Sequence, residues 1–265
     1  MTFFCSSAVM RRGGLVALAL IASVLRTTPA FSEEEALRRR VEARLAKAGL
    51  ETNADIQVEV KDGSVILTGA APTVDALRAA ERAARKEARV VDNRLAVMPA
   101  EPRSDSEIHK AVRDAILLYP NLTVFDSVEL GVEKGVVVLQ GSVREPYRGS
   151  DIENRVAKVP GVREIKNEIA VQPVSFFDAR LRAGLFRSIY GDEMFLRYAQ
   201  QANPPIHIIV DRGHVTLTGY VGSAVEQAVL GSIARQSLAF SVDNQVKIDG
   251  EAAGEASGRT APSGS

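Results

Sequence analysis

The sequence predicts an α+β protein built from three tandem α-β-β-α-β units, each a three-stranded mixed sheet with two helices on one face. Three observations lead there. Gly63, Gly135 and Gly213 recur with matching apolar residues around them. Those residues alternate with a period of two on both sides of each glycine, as in a hairpin with one buried face. Stretches with helical spacing precede and follow every hairpin.

The chain opens with Arg11 and Arg12, an apolar run from Leu15 to Leu25, and Ala30-Phe31-Ser32 before Glu33. That order of a basic region, an apolar core and an A-x-S cleavage site reads as a secretory signal peptide over residues 1–32, with the cut after Ser32 left open. Eleven apolar residues are too few for a stable membrane span. An uncleaved N-terminal anchor is the alternative, and Arg11-Arg12 also leaves a twin-arginine signal open. Cys5 precedes the apolar run, where a lipoprotein cysteine cannot sit, so the exported chain is expected to be soluble and free of cysteine and disulfides.

Each unit begins with a helix marked by Leu37/Val41/Leu45, Ile108/Val112/Ile116 or Phe177/Leu181/Leu185, residues four apart on one side. The hairpin follows. Ile56, Val58 and Val60 lead into Gly63, and Val65 and Leu67 lead out. Val128, Leu130, Val132, Val137 and Leu139 repeat the pattern around Gly135, as do Ile206, Ile208, Val210, Val215 and Leu217 around Gly213. Glycine supplies the positive φ of a tight turn. A second glycine, Gly69, Gly141 or Gly219, stands six residues later, where it is expected to close the strand and let the following helix approach the sheet. All six glycines read as structural, because they lack the spacing of a phosphate loop.

The second helix carries Leu77/Ala80/Ala84, Ile152/Val156/Val159 or Val225/Val229/Leu230 with Ile233. A third strand is centred on Asn93, Asn167 or Asn244, flanked by Val91/Leu95/Val97, Ile165/Ile169/Val171 or Val242/Val246/Ile248. A right-handed crossover makes it parallel to the second hairpin strand. The units are assigned to residues 33–101, 102–173 and 174–250, with proline-marked boundaries. Residues 251–265 form a low-complexity tail expected to be disordered. Unit three carries an insertion near 191–205, since Phe177 lies 36 residues before its turn glycine against 26 and 27 in the other units. Units of this size have marginal cores, so contacts between them are expected to add stability.

The 265 residues carry 33 basic and 33 acidic groups, and mean hydropathy is near zero. This excludes disordered, collagen-like and multi-span membrane chains. Removing residues 1–32 leaves 30 basic against 33 acidic groups, which argues against nucleic acid as a partner. His109, His207 and His214 have no cysteine or second ligand at metal spacing, so neither a metal nor a cofactor is expected. The nucleophile-elbow, phosphate-loop, zinc-protease and dithiol motifs do not occur, and no catalytic residues are assigned.

Two candidate binding surfaces emerge. Arg78, Arg82, Arg85 and Arg89 share one face of the second helix of unit one, where they could meet an anionic surface together or form a solvated face interleaved with Glu81 and Glu87. Met194, Phe195, Leu196 and Tyr198, flanked by Arg187 and Arg197, lie in the unit-three insertion. They suit a lipid or partner contact, or else packing within the protein.

The repeated Val-x-Leu-x-Gly at Val65–Gly69, Val137–Gly141 and Val215–Gly219 resembles the BON domain family, named for bacterial osmotically induced and nodulation proteins. The closing strands at Val91–Leu95, Ile165–Ile169 and Val242–Val246 are similar to that family too, as is Val159-Pro160-Gly161-Val162 in unit two. Units one and three depart from it there, with Glu87-Ala88-Arg89 and Leu238-Ala239. The resemblance implies a non-enzymatic periplasmic protein that binds anionic phospholipid or the membrane surface and is linked to osmotic or envelope stress. The alternative is an envelope scaffold that contacts another protein without touching lipid.

Overall fold

A computed structural model of the chain describes residues 29–50 and 55–249. The predicted tail and nearly all of the predicted leader, including Cys5, lie outside them. Unit one comprises α1 (Pro29–Lys47), β1 (Asp55–Lys61), β2 (Ser64–Ala71), α2 (Val74–Ala84) and β3 (Val91–Val97). Unit two comprises α3 (Asp105–Leu117), β4 (Ser127–Glu133), β5 (Val136–Val143), α4 (Pro146–Val156) and β6 (Glu164–Val171). Unit three comprises α5 (Phe176–Tyr190), α6 (Leu196–Ala199), β7 (Ile206–Asp211), β8 (His214–Val221), α7 (Ala224–Arg235), β9 (Ser241–Asn244) and β10 (Lys247–Ile248).

In every unit the second hairpin strand is central, antiparallel to the first and parallel to the last. The last strand of unit three is interrupted after Asn244, but its register continues: Leu217 faces Asn244 and Tyr220 faces Lys247. Val65, Leu67, Val137, Leu139, Val215 and Leu217 are buried beneath the helices, at the positions where the period-two pattern puts them.

The hairpin turns have positive φ at two successive residues: Asp62 and Gly63 (51° and 72°), Lys134 and Gly135 (51° and 78°), Arg212 and Gly213 (49° and 81°). Two such residues define the tight primed turn whose twist suits a hairpin. An acid of each leading helix then clamps the turn. Asp105 accepts from the Lys134 and Gly135 amides at 2.7 and 2.9 Å, and Asp178 from the Arg212 and Gly213 amides at 3.0 and 2.8 Å. Glu34 accepts from the Asp62 amide at 3.0 Å.

The clamp corrects the reading of α5. Leu37, Ile108 and Leu181 each stand three residues after their clamping acid. The buried stripe of α5 is therefore Leu181/Leu185/Ile189, and Phe177 is 42% exposed. Counted from Leu181, the extra length of unit three before Gly213 is smaller than the count from Phe177 implied. Val225 is also exposed, since α7 buries Leu230 and Ala234 with Glu226 ahead of them.

The second glycines serve a different purpose from the predicted one. Gly69, Gly141 and Gly219 have φ of 112°, 114° and 104°. A Cβ there would lie 1.9, 2.1 and 1.7 Å from the carbonyl oxygens of Asp55, Ser127 and Pro205. The backbone at the start of the neighbouring strand forbids a side chain, not the following helix. The third-strand asparagines tie that strand to the second helix of their unit. Asn93 donates to Glu81, Asn167 to the Gly149 carbonyl and Glu153, and Asn244 to the Gln227 carbonyl.

Buried contacts join the units. Val74 of unit one packs in the core of unit two, and the Asp75 amide donates to the Ala157 carbonyl at 2.9 Å. Val124 of unit two packs in the core of unit three, and its carbonyl accepts from the Ile208 amide at 2.7 Å. Gln172 links the Phe125 carbonyl to the buried Arg182, and Ser127 meets Thr218 at 3.0 Å.

Candidate functional site

The arginine face of unit one does not assemble as predicted. α2 ends at Ala84 with Arg85 as its C-cap, so Arg89 lies beyond the helix. Arg78 bonds Glu153 of unit two, Arg82 stands 3.6 Å from Asp75, and Arg85 bonds Glu81 at 2.7 Å. Arg85 and then Asn93 hold the Glu81 carboxyl below its ordinary range. Carboxylates in the α2–α4 seam and along α2 thus occupy three of the four guanidiniums.

The insertion of unit three is largely a packing element. Phe195 is fully buried and Tyr198 nearly so, which withdraws both from any external ligand. The Tyr198 hydroxyl donates to Glu226 at 2.7 Å and accepts from the Gly222 amide at 2.8 Å, and Arg197 bonds both Tyr198 and Glu226. Burial would raise the Glu226 carboxyl, but the Tyr198 hydroxyl, the Gly222 amide and Arg197 together hold it low. Met194, Leu196, Arg187 and Arg197 of this candidate keep substantial exposure, the last while bonded to Tyr198 and Glu226. The spacing of large apolar residues showed that the segment was special, but could not show which way it faced.

Another surface of unit three was not found from sequence. At the turn end, the start of α5, the β7–β8 turn and the lead into β9 converge. Phe177 and Phe240 stack with ring centroids 5.5 Å apart, and the Phe240 amide donates to the Gly213 carbonyl at 2.8 Å. His214 meets Phe240 edge-on at 6.0 Å and bonds Ser241 at 2.7 Å. Phe176 is 93% exposed, Leu238 82% and Phe240 72%, with Val174 open beside them. The available signal was register. Phe240 occupies the position of Arg163 in unit two, since each donates its amide to the turn-glycine carbonyl.

His207 lies in the junction between units two and three. Its Nδ1 is closed to solvent without a hydrogen-bond partner. Burial pushes the imidazole below its ordinary 6.5, while the backbone at Asp126 and Thr123 and the Asp126 carboxylate act in the opposite sense. A folded-state value below the unfolded one means that the unfolded chain takes up the proton first. Stability from this group is present above the unfolded value of 6.5 and is lost as pH falls from there towards the folded value. Urea unfolding at pH 7.5 and about pH 5.5 is expected to give the lower stability at the acid pH, and His207→Leu should flatten that difference. An unchanged slope in the variant would remove His207 as its source.

Among the described residues, no group of three His, Cys, Asp or Glu side chains could hold a metal ion. Among them also, no helix is long and apolar enough to cross a membrane. The fold defines a tandem array of three small α+β modules.

The chain belongs to the BON domain family, whose model matches residues 33–99, 104–173 and 194–250. Among solved structures it is similar to CdsD, a structural protein of the type III secretion system of Chlamydia trachomatis. Identity is 12% over 86% of this chain and 100% of that one, with a TM-score of 0.23. It is also similar to the C-terminal domain of CdsD, at 13% identity over 80% of this chain and 96% of that one, with a TM-score of 0.24. Comparison with curated protein sequences gave no match.

Proposed function

We propose that this chain is a non-enzymatic periplasmic protein of the cell envelope that binds anionic phospholipid at the membrane surface, in the setting of osmotic or envelope stress. The observation that carries this reading is the threefold match to the BON domain family. The leader-like residues 1–32 support an exported location. The junctions support joint action. Val74 and Val124 each pack into the core of the next unit, so a unit that meets the membrane carries its neighbours with it.

Flotation of the protein, as its cells process it, with phosphatidylglycerol vesicles and with phosphatidylcholine vesicles tests the reading. Binding is expected to the anionic vesicles and to weaken as salt rises, because exposed charge attraction is screened. If the protein stays at the bottom of the gradient with both lipids, the phospholipid reading falls.

A further inference from the structure

We propose that the turn end of unit three is the membrane-docking surface, an aromatic wedge that inserts between anionic phospholipid headgroups. This rests on the phospholipid reading above and assigns it to one place. The wedge comprises Val174, Phe176, Phe177, Leu238 and Phe240.

Comparison of the units shows that the fold does not need these side chains. The acid clamps align Asp178 with Asp105, which places Phe176 and Phe177 opposite Arg103 and Ser104 of unit two. The shared amide–carbonyl bonds at the turn glycines place Phe240 and Leu238 opposite Arg163 and Gly161. Unit two closes the same turn with polar, basic or small residues. Unit three carries three phenylalanines and a leucine there, leaving Phe176, Leu238 and Phe240 mostly open and Phe177 42% exposed. Large apolar side chains left open around the stacked Phe177 and Phe240 rings mark a contact with another phase or molecule.

The geometry holds the rings in place. Gly213 lies beneath both: a Cβ there would come within 2.6 Å of the Phe240 ring and 3.1 Å of Phe177. The turn beneath is fixed by the Asp178 clamp, so the wedge is presented on a fixed loop and does not depend on a mobile arm.

The charged rim points to a bilayer carrying anionic headgroups. Arg180 is exposed one helical turn beyond Phe176. The Arg212 side chain is 82% exposed in the turn, with Asp211 at 3.9 Å. Apolar rings with arginines at their edge match the acyl–headgroup boundary, where rings bury and guanidiniums meet phosphate.

The sequence contains no tryptophan, so Phe240→Trp introduces a lone indole reporter. On mixed phosphatidylglycerol–phosphatidylcholine vesicles, its emission is expected to shift to the blue and to be quenched by brominated acyl chains. The combined Phe176→Ser, Leu238→Ser and Phe240→Ser variant is expected to lose about tenfold or more in vesicle partitioning. Its thermal midpoint should stay close to that of the parent, because these side chains stand in the open. Parent binding with an unquenched indole and an unaffected triple variant would overturn the wedge while leaving the phospholipid reading intact. No vesicle binding by the parent would overturn both. A parent dimer in sedimentation that the triple variant abolishes, with no quenching, would assign the surface to a second copy of the chain and overturn the wedge.

Discussion

Replacing Gly141 by alanine is expected to unfold unit two under mild conditions. The Gly141 backbone sits at φ 114°, a region that L side chains rarely adopt. An added Cβ would lie 2.1 Å from the Ser127 carbonyl oxygen and 3.0 Å from its carbon. The obstructing atoms belong to the backbone, so no rotamer change relieves the clash. Either β4 and β5 separate near Ser127 or Gly141 leaves its φ. Dihedral strain and broken pairing together cost about 3 kcal/mol or more. A unit of this size holds only about 5 kcal/mol in total. Urea unfolding followed by circular dichroism should show the loss. Gly131→Ala is the control: it lies on β4, where an added Cβ would meet nothing within 4 Å, and a change within about 0.5 kcal/mol is expected. A similarly small loss for Gly141→Ala would show that the strand pair yields easily.

The glycine also shows where sequence was informative and where it was not. Register along the chain exposed Gly69, Gly141 and Gly219, because a period of two is a local property. Their cause was missed because the atom that excludes a side chain sits on a partner strand. The same division holds for α5. Phe177, Leu181 and Leu185 have perfect helical spacing, and only the Asp178 clamp on the β7–β8 turn shows that the buried stripe starts at Leu181. The arginine face dissolved for a related reason. Arg78 meets Glu153 across a seam between units, and no pattern within unit one announces that acid. The aromatic wedge was hidden because apolar residues are ordinarily read as core, and only comparison with the polar residues of unit two at the same positions sets them apart.

The second large effect is expected from Asp126→Ala. Asp126 has no exposed area and accepts from the Thr123 amide and hydroxyl, the Arg144 amide and Arg148. Arg148 is itself nearly enclosed, with its Nε unpartnered, so it has no alternative acid. Removing one member of a buried pair leaves the other charge uncompensated, at about 3–5 kcal/mol. The consequences extend past the pair. Asp126 closes the loop that carries Val124 into the core of unit three and offers its carbonyl to Ile208. Loosening that loop should weaken the junction as well as unit two. Asp126→Ala combined with Arg148→Met removes both charges, and its cost should fall below the sum of the single losses, a coupling that a double-mutant cycle in urea measures directly. A single-variant loss under about 1 kcal/mol would mean that water reaches the pair and that the junction stands without it.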